Sequence, residues 1–326
     1  MQINILSAES LGVRGLCCVV QSKGRTILID PGLALGYQRE GLLPHPAQVA
    51  VGEQVRRRIV AALEDASDVV MSHFHGDHVP LPDANPFQLK AQRVAPLCQR
   101  SRLWTKGPVG LSPNMAHRRA SLAEALGTEL PEAEGQDDGT LAFSPPVPHG
   151  VADSHLGTVM MTRIEEGDSV FVHASDIQLL DDGAVSLILD WHPDIVLVGG
   201  PPLYLSVLRS KQRAVAWKNA KRLALQVDTL ILDHHLLRCE EGLSWLEWLS
   251  SETGHQVVCA ADFMGQARCL LEARRLQLYE EMPVPRGWHE AYARGEADTE
   301  AYEDYRKECL RDLSLEGEYA DLRVSV

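Results

Sequence analysis

The sequence predicts a layered α/β fold, and three observations predict it. Short apolar, β-branched runs recur at residues 3–6, 16–20, 26–29, 69–71, 140–143, 158–164, 169–172, 195–198, 229–232 and 256–259. The early runs are separated by turns, which predicts an antiparallel start, whereas the later ones alternate with segments of helical spacing, which predicts strands and helices in layers. Composition agrees: 326 residues with 45% apolar and 23% charged side chains are the ordinary globular mix. That excludes disorder, collagen and coiled coil, and the chain is long enough to bury a sizeable core.

Taken in order, the first helix is expected after Pro46, because Val51, Val55, Ile59 and Leu63 fall on one helical face. His45, between Pro44 and Pro46, reads as surface loop. Residues 80–139 interrupt the alternation and read as an insertion or lid, with a helix over 118–126. Further helices are expected over 211–225, 243–251 and 266–280. Gly199-Gly200-Pro201-Pro202 reads as a strand-ending turn, without the Lys and Ser/Thr of a phosphate-binding loop. From residue 285 the chain is acidic and carries Trp288, Tyr292, Tyr302 and Tyr305, which suits one or two amphipathic helices docked on the core. The expected organisation is one domain over 1–284 and an acidic helical tail over 285–326, a surface available to a homo-oligomer.

Charge and cysteine usage narrow the class. A net charge of -14 argues against general nucleic-acid binding. The longest apolar stretch, 185–208, is broken by Asp190, His192 and Asp194, so no membrane helix is expected. The start MQINILSAES has neither the basic nor the long apolar region of a secretory signal. Seven cysteines without a CxxC pair predict buried thiols in a reducing cytoplasm and no disulfide framework. Two stretches lack acids altogether. One spans 84–123, with Lys90, Arg93, Arg100, Arg102, Lys106, Arg118 and Arg119; the other spans 195–227, with Arg209, Lys211, Arg213, Lys218, Lys221 and Arg222. They read either as recognition of an anionic substrate or as solvated helix faces paired with acids elsewhere.

The strongest chemical signal is His73-Phe74-His75-Gly76-Asp77-His78. After a strand, alternate residues His73 and His75 can turn to one ion and Asp77 and His78 to a second beside it. Imidazole with carboxylate suits zinc, iron or manganese. Other polar residues follow apolar strands: Asp30, then Asp176 after His173-Ala174-Ser175, then Asp233-His234-His235. In layered α/β proteins ligands gather at the carboxyl ends of strands, so these positions are candidates for one convergent site. His149 follows Ser-Pro-Pro-Val-Pro, a rigid turn able to hold an imidazole. His155, His173, His192 and His255 read as core or surface residues.

This ordered set resembles the metallo-β-lactamase superfamily. SPPVPHG, FVHASD, LVGGPPLYL, LDHHLLR and LLEARRLQLYEE further resemble a branch of predicted hydrolases from archaea and some bacteria, over nearly the whole chain to about Met282. The resemblance implies a four-layer αβ/βα sandwich with mixed sheets and two divalent metal ions, zinc first, manganese or iron as alternatives. It implies His73, His75 and His149 at site one and Asp77, His78 and a late histidine at site two, with Asp176 bridging. Asp30 would stand behind the ligands, holding the loop or orienting one of them. The late ligand is open between His234 and His235, with His234 favoured because it comes just past the strand. Asp77 and His235 are the candidates for the chemical step, His235 as proton donor or substrate-orienting group. His75 stands where an oxygen-reducing iron branch of the superfamily carries Glu, and Asp176 departs from the true β-lactamases, so neither activity is expected.

A water between two ions would hydrolyse an ester without a Ser, Cys or Lys nucleophile. The basic segments favour a phosphoester, a phosphodiester or nucleotide-like molecule, with Arg118 or Arg119 on its phosphate. The alternatives are a lactone or thioester hydrolase, with Leu203, Tyr204 and Leu205 lining the pocket, and a non-catalytic metal-stabilised binding protein. A small-molecule substrate, no membrane partner and no favoured nucleic-acid partner complete the expectation.

Overall fold

The computed structural model of the chain describes residues 1–35, 38–152 and 154–310. Residues 311–326 of the expected tail lie outside them. The first sheet contains β1 (Gln2–Ile5), β2 (Cys18–Ser22), β3 (Arg25–Ile29), β4 (Asp68–Met71) and β5 (Arg102–Thr105), in that order. β1 to β3 run antiparallel, as turn-separated strands must; β3, β4 and β5 are parallel. Helix α1 (Pro46–Asp65) connects β3 to β4, and α2 (Ala91–Cys98) connects β4 to β5; α3 (Pro113–Leu126) follows.

The second sheet contains β6 (Leu141–Phe143) and, after the hairpin of β7 (Val147–Pro148) and β8 (Thr158–Val159), the strands β9 (Thr162–Glu166), β10 (Ser169–Ser175), β11 (Ile195–Val198), β12 (Thr229–Leu232) and β13 (Gln256–Val258). β10 to β13 are parallel, joined through α4 (Asp182–Asp190), α5 (Ser210–Ala224) and α6 (Glu241–Thr253).

Strand periodicity explains the layering. In β3, Ile27 and Ile29 face the second sheet while Leu28 faces the helices; in β4, Val70 faces inward and Val69 and Met71 outward. Strands β2 to β5 therefore feed two apolar layers. One holds α1, α2 and α3. The other joins the two sheets and continues through β10 to β12 to Val185, Ala220 and Leu246 on α4, α5 and α6. The order is helices, sheet, sheet, helices, the expected four-layer sandwich.

Several expectations need correction. Residues 80–139 are not simply an insertion or lid, because they supply α2, the edge strand β5 and α3 to the first half. β5 was illegible because it is only RLWT, with Arg102 exposed over the Trp104 ring at 3.8 Å. The run 158–164 is two strands, broken where the Met160 amide donates to the Ser72 carbonyl at 2.8 Å and the Met161 amide to Ser144 Oγ at 2.8 Å. The helix expected over 266–280 is confined to α8 (Arg275–Glu281), after the short α7 (Ala260–Phe263), because Cys269 bridges the Ser10–Leu11 segment like a strand.

His45 is buried, not surface. Its Nδ1 accepts from the Ala47 amide at 3.2 Å, capping α1, and its Nε2 reaches the Met282 carbonyl at 2.9 Å. Pro46 starts the helix rather than marking a loop. Beyond α8, α9 (Trp288–Ala293) and α10 (Glu303–Cys309) dock on α1, with Tyr292 stacked between Trp288 and Phe87 and its hydroxyl donating to Glu53 at 2.8 Å. The Tyr302 ring meets His45 edge-on. These tyrosines thus pack within the chain. Cys309 is disulfide-bonded to Cys269, against the expectation of unpaired thiols; five others are free. Sequence spacing did not reveal the pair, because docking of α10 is what brings Cys309 to the Ser10–Cys269 bridge. Among the described residues no helix is long and apolar enough to cross a membrane.

Candidate metal centre

The loop after β4, the turn after β3, the end of β10 and the turn after β12 meet at one edge of the sandwich. Three non-glycine residues in these turns have left-handed backbone: Asp30 (φ 51), Ser175 (φ 51) and His234 (φ 45). Such conformations cost energy and persist only where surrounding contacts hold them. Here Asp30 is the holder. Its Oδ1 accepts from the Ser72 amide at 2.8 Å; its Oδ2 accepts from Ser72 Oγ at 2.6 Å and Ser175 Oγ at 3.0 Å and lies 2.9 Å from His78 Nδ1. Burial opposes its charge, yet the His78 hydrogen bond and the nearby imidazoles hold its carboxyl down at about 2. Gly32 is required beside it, since a Cβ there would lie 2.2 Å from the His78–Val79 backbone.

Asp176 is the centre of the cluster. Its Oδ2 lies 3.1 Å from His149 Nε2, 3.4 Å from His73 Nε2 and 3.6 Å from His235 Nε2. Its Oδ1 lies 2.9 Å from His78 Nε2 and 3.3 Å from His234 Nε2. One oxygen thus faces each half. His73, His75, His149 and Asp176 bring one ligand atom each to within 4.8 Å of one another, and so do Asp77, His78 and His234. His234 joins Asp77 and His78; His235 groups instead with Asp176 and His234.

The donor set fits metal ions. Burial opposes charge on His78, yet Asp176 and Asp30 hold its imidazole well above the usual histidine range, so these carboxylates draw positive charge into the cluster; Asp176 Oδ1 lies 2.9 Å from His78 Nε2. That buried oxygen and His235 Nδ1 have no hydrogen-bond partner. A metal ion beside Asp176 would partner that oxygen. Burial, then the neighbouring imidazoles, push His73 down to about 4 and His75 to about 2, leaving their nitrogens unprotonated at neutral pH. His75 is only partly buried and marks the open side. Gln178 steadies His149, its amide nitrogen 3.3 Å from Nδ1.

The two predicted substrate arginines are elsewhere occupied. Arg119 donates to the Leu130 carbonyl at 2.8 Å and the Lys106 carbonyl at 3.4 Å. Arg118 reaches the Phe74 carbonyl at 3.5 Å, on the back of the ligand loop. In the second basic segment Arg213, Lys218 and Lys221 pair with Glu241, Asp182 and Glu252, which is the solvated-face reading. Sequence reasoning missed Arg14, Glu9 and Arg238, which surround Asp77 and His234. Arg14 Nε donates to Asp77 Oδ2 at 3.0 Å. Arg238 is ion-paired to Glu9 at 2.8 Å and donates to Tyr204 Oη at 3.1 Å. The only signal was an arginine four residues after His234, in LDHHLLR.

Residues 12–79, the span holding Asp30 and the HxHxDH loop, match the model of the metallo-β-lactamase superfamily. A UPF0282 protein of Methanosarcina mazei is 53% identical over 302 residues, covering 93% of this chain and 99% of its own. This chain belongs to the UPF0282 family. A second UPF0282 protein, from Pyrococcus horikoshii, is 34% identical over 88% of this chain and 97% of its own. Among solved structures, Tm1679, a metal-dependent hydrolase of the β-lactamase superfamily, aligns with the UPF0282 chain at 14% identity and a TM-score of 0.49, over 79% of this chain and 94% of that one.

Proposed function

We propose that the chain is a metal-dependent hydrolase whose favoured substrate is a phosphoester. One observation carries the hydrolase reading: Asp176 presents one carboxylate oxygen to His73 and His149 and the other to His78 and His234. In this reading His73, His75, His149 and Asp176 hold one divalent ion, most suitably zinc, and Asp77, His78, His234 and Asp176 a second. When bound, such ions lower the pKa of water towards neutrality and polarise the substrate oxygen.

The chain's own residues do the rest. Asp30 fixes the His78 ring and the ligand loop, and Gln178 fixes His149. In this reading His235, with Nε2 3.6 Å from Asp176 Oδ2, would orient the substrate rather than give a proton, because burial holds its imidazole well below the usual histidine range. Asp77, buried and paired with Arg14, keeps its carboxylate ionised at the opposite side. The phosphoester preference now rests on Arg14, whose side chain is 32% exposed next to Asp77, rather than on Arg118 or Arg119. The compartment we propose is the cytoplasm, supported by five unpaired cysteines, although the Cys269–Cys309 disulfide counts against it.

The test is metal content per chain by elemental mass spectrometry after purification without chelators, followed by assay of the loaded protein on bis(p-nitrophenyl) phosphate and on a γ-lactone. Metal with phosphodiester turnover supports the reading. Metal with lactone turnover alone overturns the phosphoester preference, and no metal after reconstitution overturns the hydrolase.

A further inference from the structure

The two halves of the cluster differ in one respect that residue type does not show: one already contains a cation. Arg238 lies in the turn after His234 and His235 and is 3% exposed. Its Nη2 lies 2.7 Å from His234 Nε2, 3.3 Å from His234 Nδ1 and 3.5 Å from Asp77 Oδ2. His234 Nε2 and Asp77 are the atoms that would ligate an ion at site two. The guanidinium is not loosely held there, because Glu9 takes its Nε and Tyr204 its Nη1. Arg14 adds a second guanidinium on Asp77. At the other half, no arginine or lysine forms an ion pair with Asp176 among the described residues, and His73, His75 and His149 face one another, Asp176, Ser72, His78, His235 and Gln178.

Arginine stays protonated and only donates, so a His234 lone pair engaged by Nη2 is withheld from an ion until the guanidinium shifts. A divalent ion within a few ångströms of it also meets direct repulsion, weakly screened in a buried setting. We propose that Arg238 sets the metal stoichiometry: site one fills first and tightly, and site two fills weakly, in competition with the Arg238 guanidinium. The inference rests on the reading that the cluster binds metal and concerns how many ions it keeps. At low metal the chain would hold one ion beside a fixed arginine, and only at high metal two.

The experiment is zinc titration of the metal-free full chain, with bound ions counted by native mass spectrometry and affinities set by chelator competition. The wild type is expected to bind one ion at least about tenfold more tightly than the second. Arg238→Gln is expected to tighten the second ion at least about tenfold and leave the first unchanged. Because that change leaves Glu9 buried without its partner, the neutral pair Glu9→Gln with Arg238→Gln is read in its place if the single variant does not fold. Two ions of equal affinity in the wild type, or no tightening of the second in the folded variants, would overturn the proposal while leaving a metal hydrolase intact. Failure of the wild type to bind any ion removes both.

Discussion

Around Asp176 the same residue types build two ends with different neighbours. The His73 end is three imidazoles and a carboxylate oxygen, steadied by Ser72 and Gln178. The Arg238 end offers Asp77, His78 and His234, but two guanidiniums and Glu9 surround them. The difference teaches that a ligand set read from side-chain identity fixes the chemistry on offer but not the order in which it is used. Order depends on which charges the fold has already brought alongside.

The largest expected effect removes the comparison altogether. Asp176→Asn takes charge from the carboxylate whose two oxygens face the two ends, so both ions should be lost and activity should fall to background; elemental analysis after desalting checks this. If one ion survives, the carboxylate is not shared. Next, Glu9→Gln removes the closer carboxylate partner of Arg238, leaving Asp77 at 3.5 Å, and should destabilise the metal-free chain by about 3 kcal/mol in urea unfolding. A loss below about 1 kcal/mol would mean that Tyr204 and the site itself hold the arginine.

Asp30→Asn should weaken metal binding by about 10–100-fold, chiefly at the His78 side, because only there does Asp30 touch a ligand ring directly. Equal weakening at both ends would show that Asp30 acts through the loop as a whole. The smallest effect is expected for Gln178→Ala, about tenfold at the His73 end and none at the other. Competition titrations that resolve the two equivalents read both variants.

Much of this was legible beforehand because the signals are local. HxHxDH is six consecutive residues, and β11 and β12 matched the runs 195–198 and 229–232 because buried parallel strands are continuous apolar runs. The favoured late histidine, His234, is the one that meets Asp77 and His78. Misread stretches have the opposite character. β5 carries one inward aromatic in four residues, and residues 266–274 have helical spacing but pair with Ser10 and Leu11, a partner more than 250 positions away. His45 looked like loop because prolines flank it, yet the docked C-terminal segment buries it.

By itself, then, the sequence determined the layered α/β class, the candidate metal-binding loop and the candidate ligands at strand ends, since periodicity and short motifs depend on neighbours along the chain. Only the tertiary structure decided that Asp176 splits its oxygens between two halves, that Arg118 and Arg119 hold backbone carbonyls, and that Arg238 stands beside His234 and Asp77. Those outcomes depend on segments far apart in sequence: Glu9 and Arg238 are separated by 229 positions, and no pattern along the chain records that they meet.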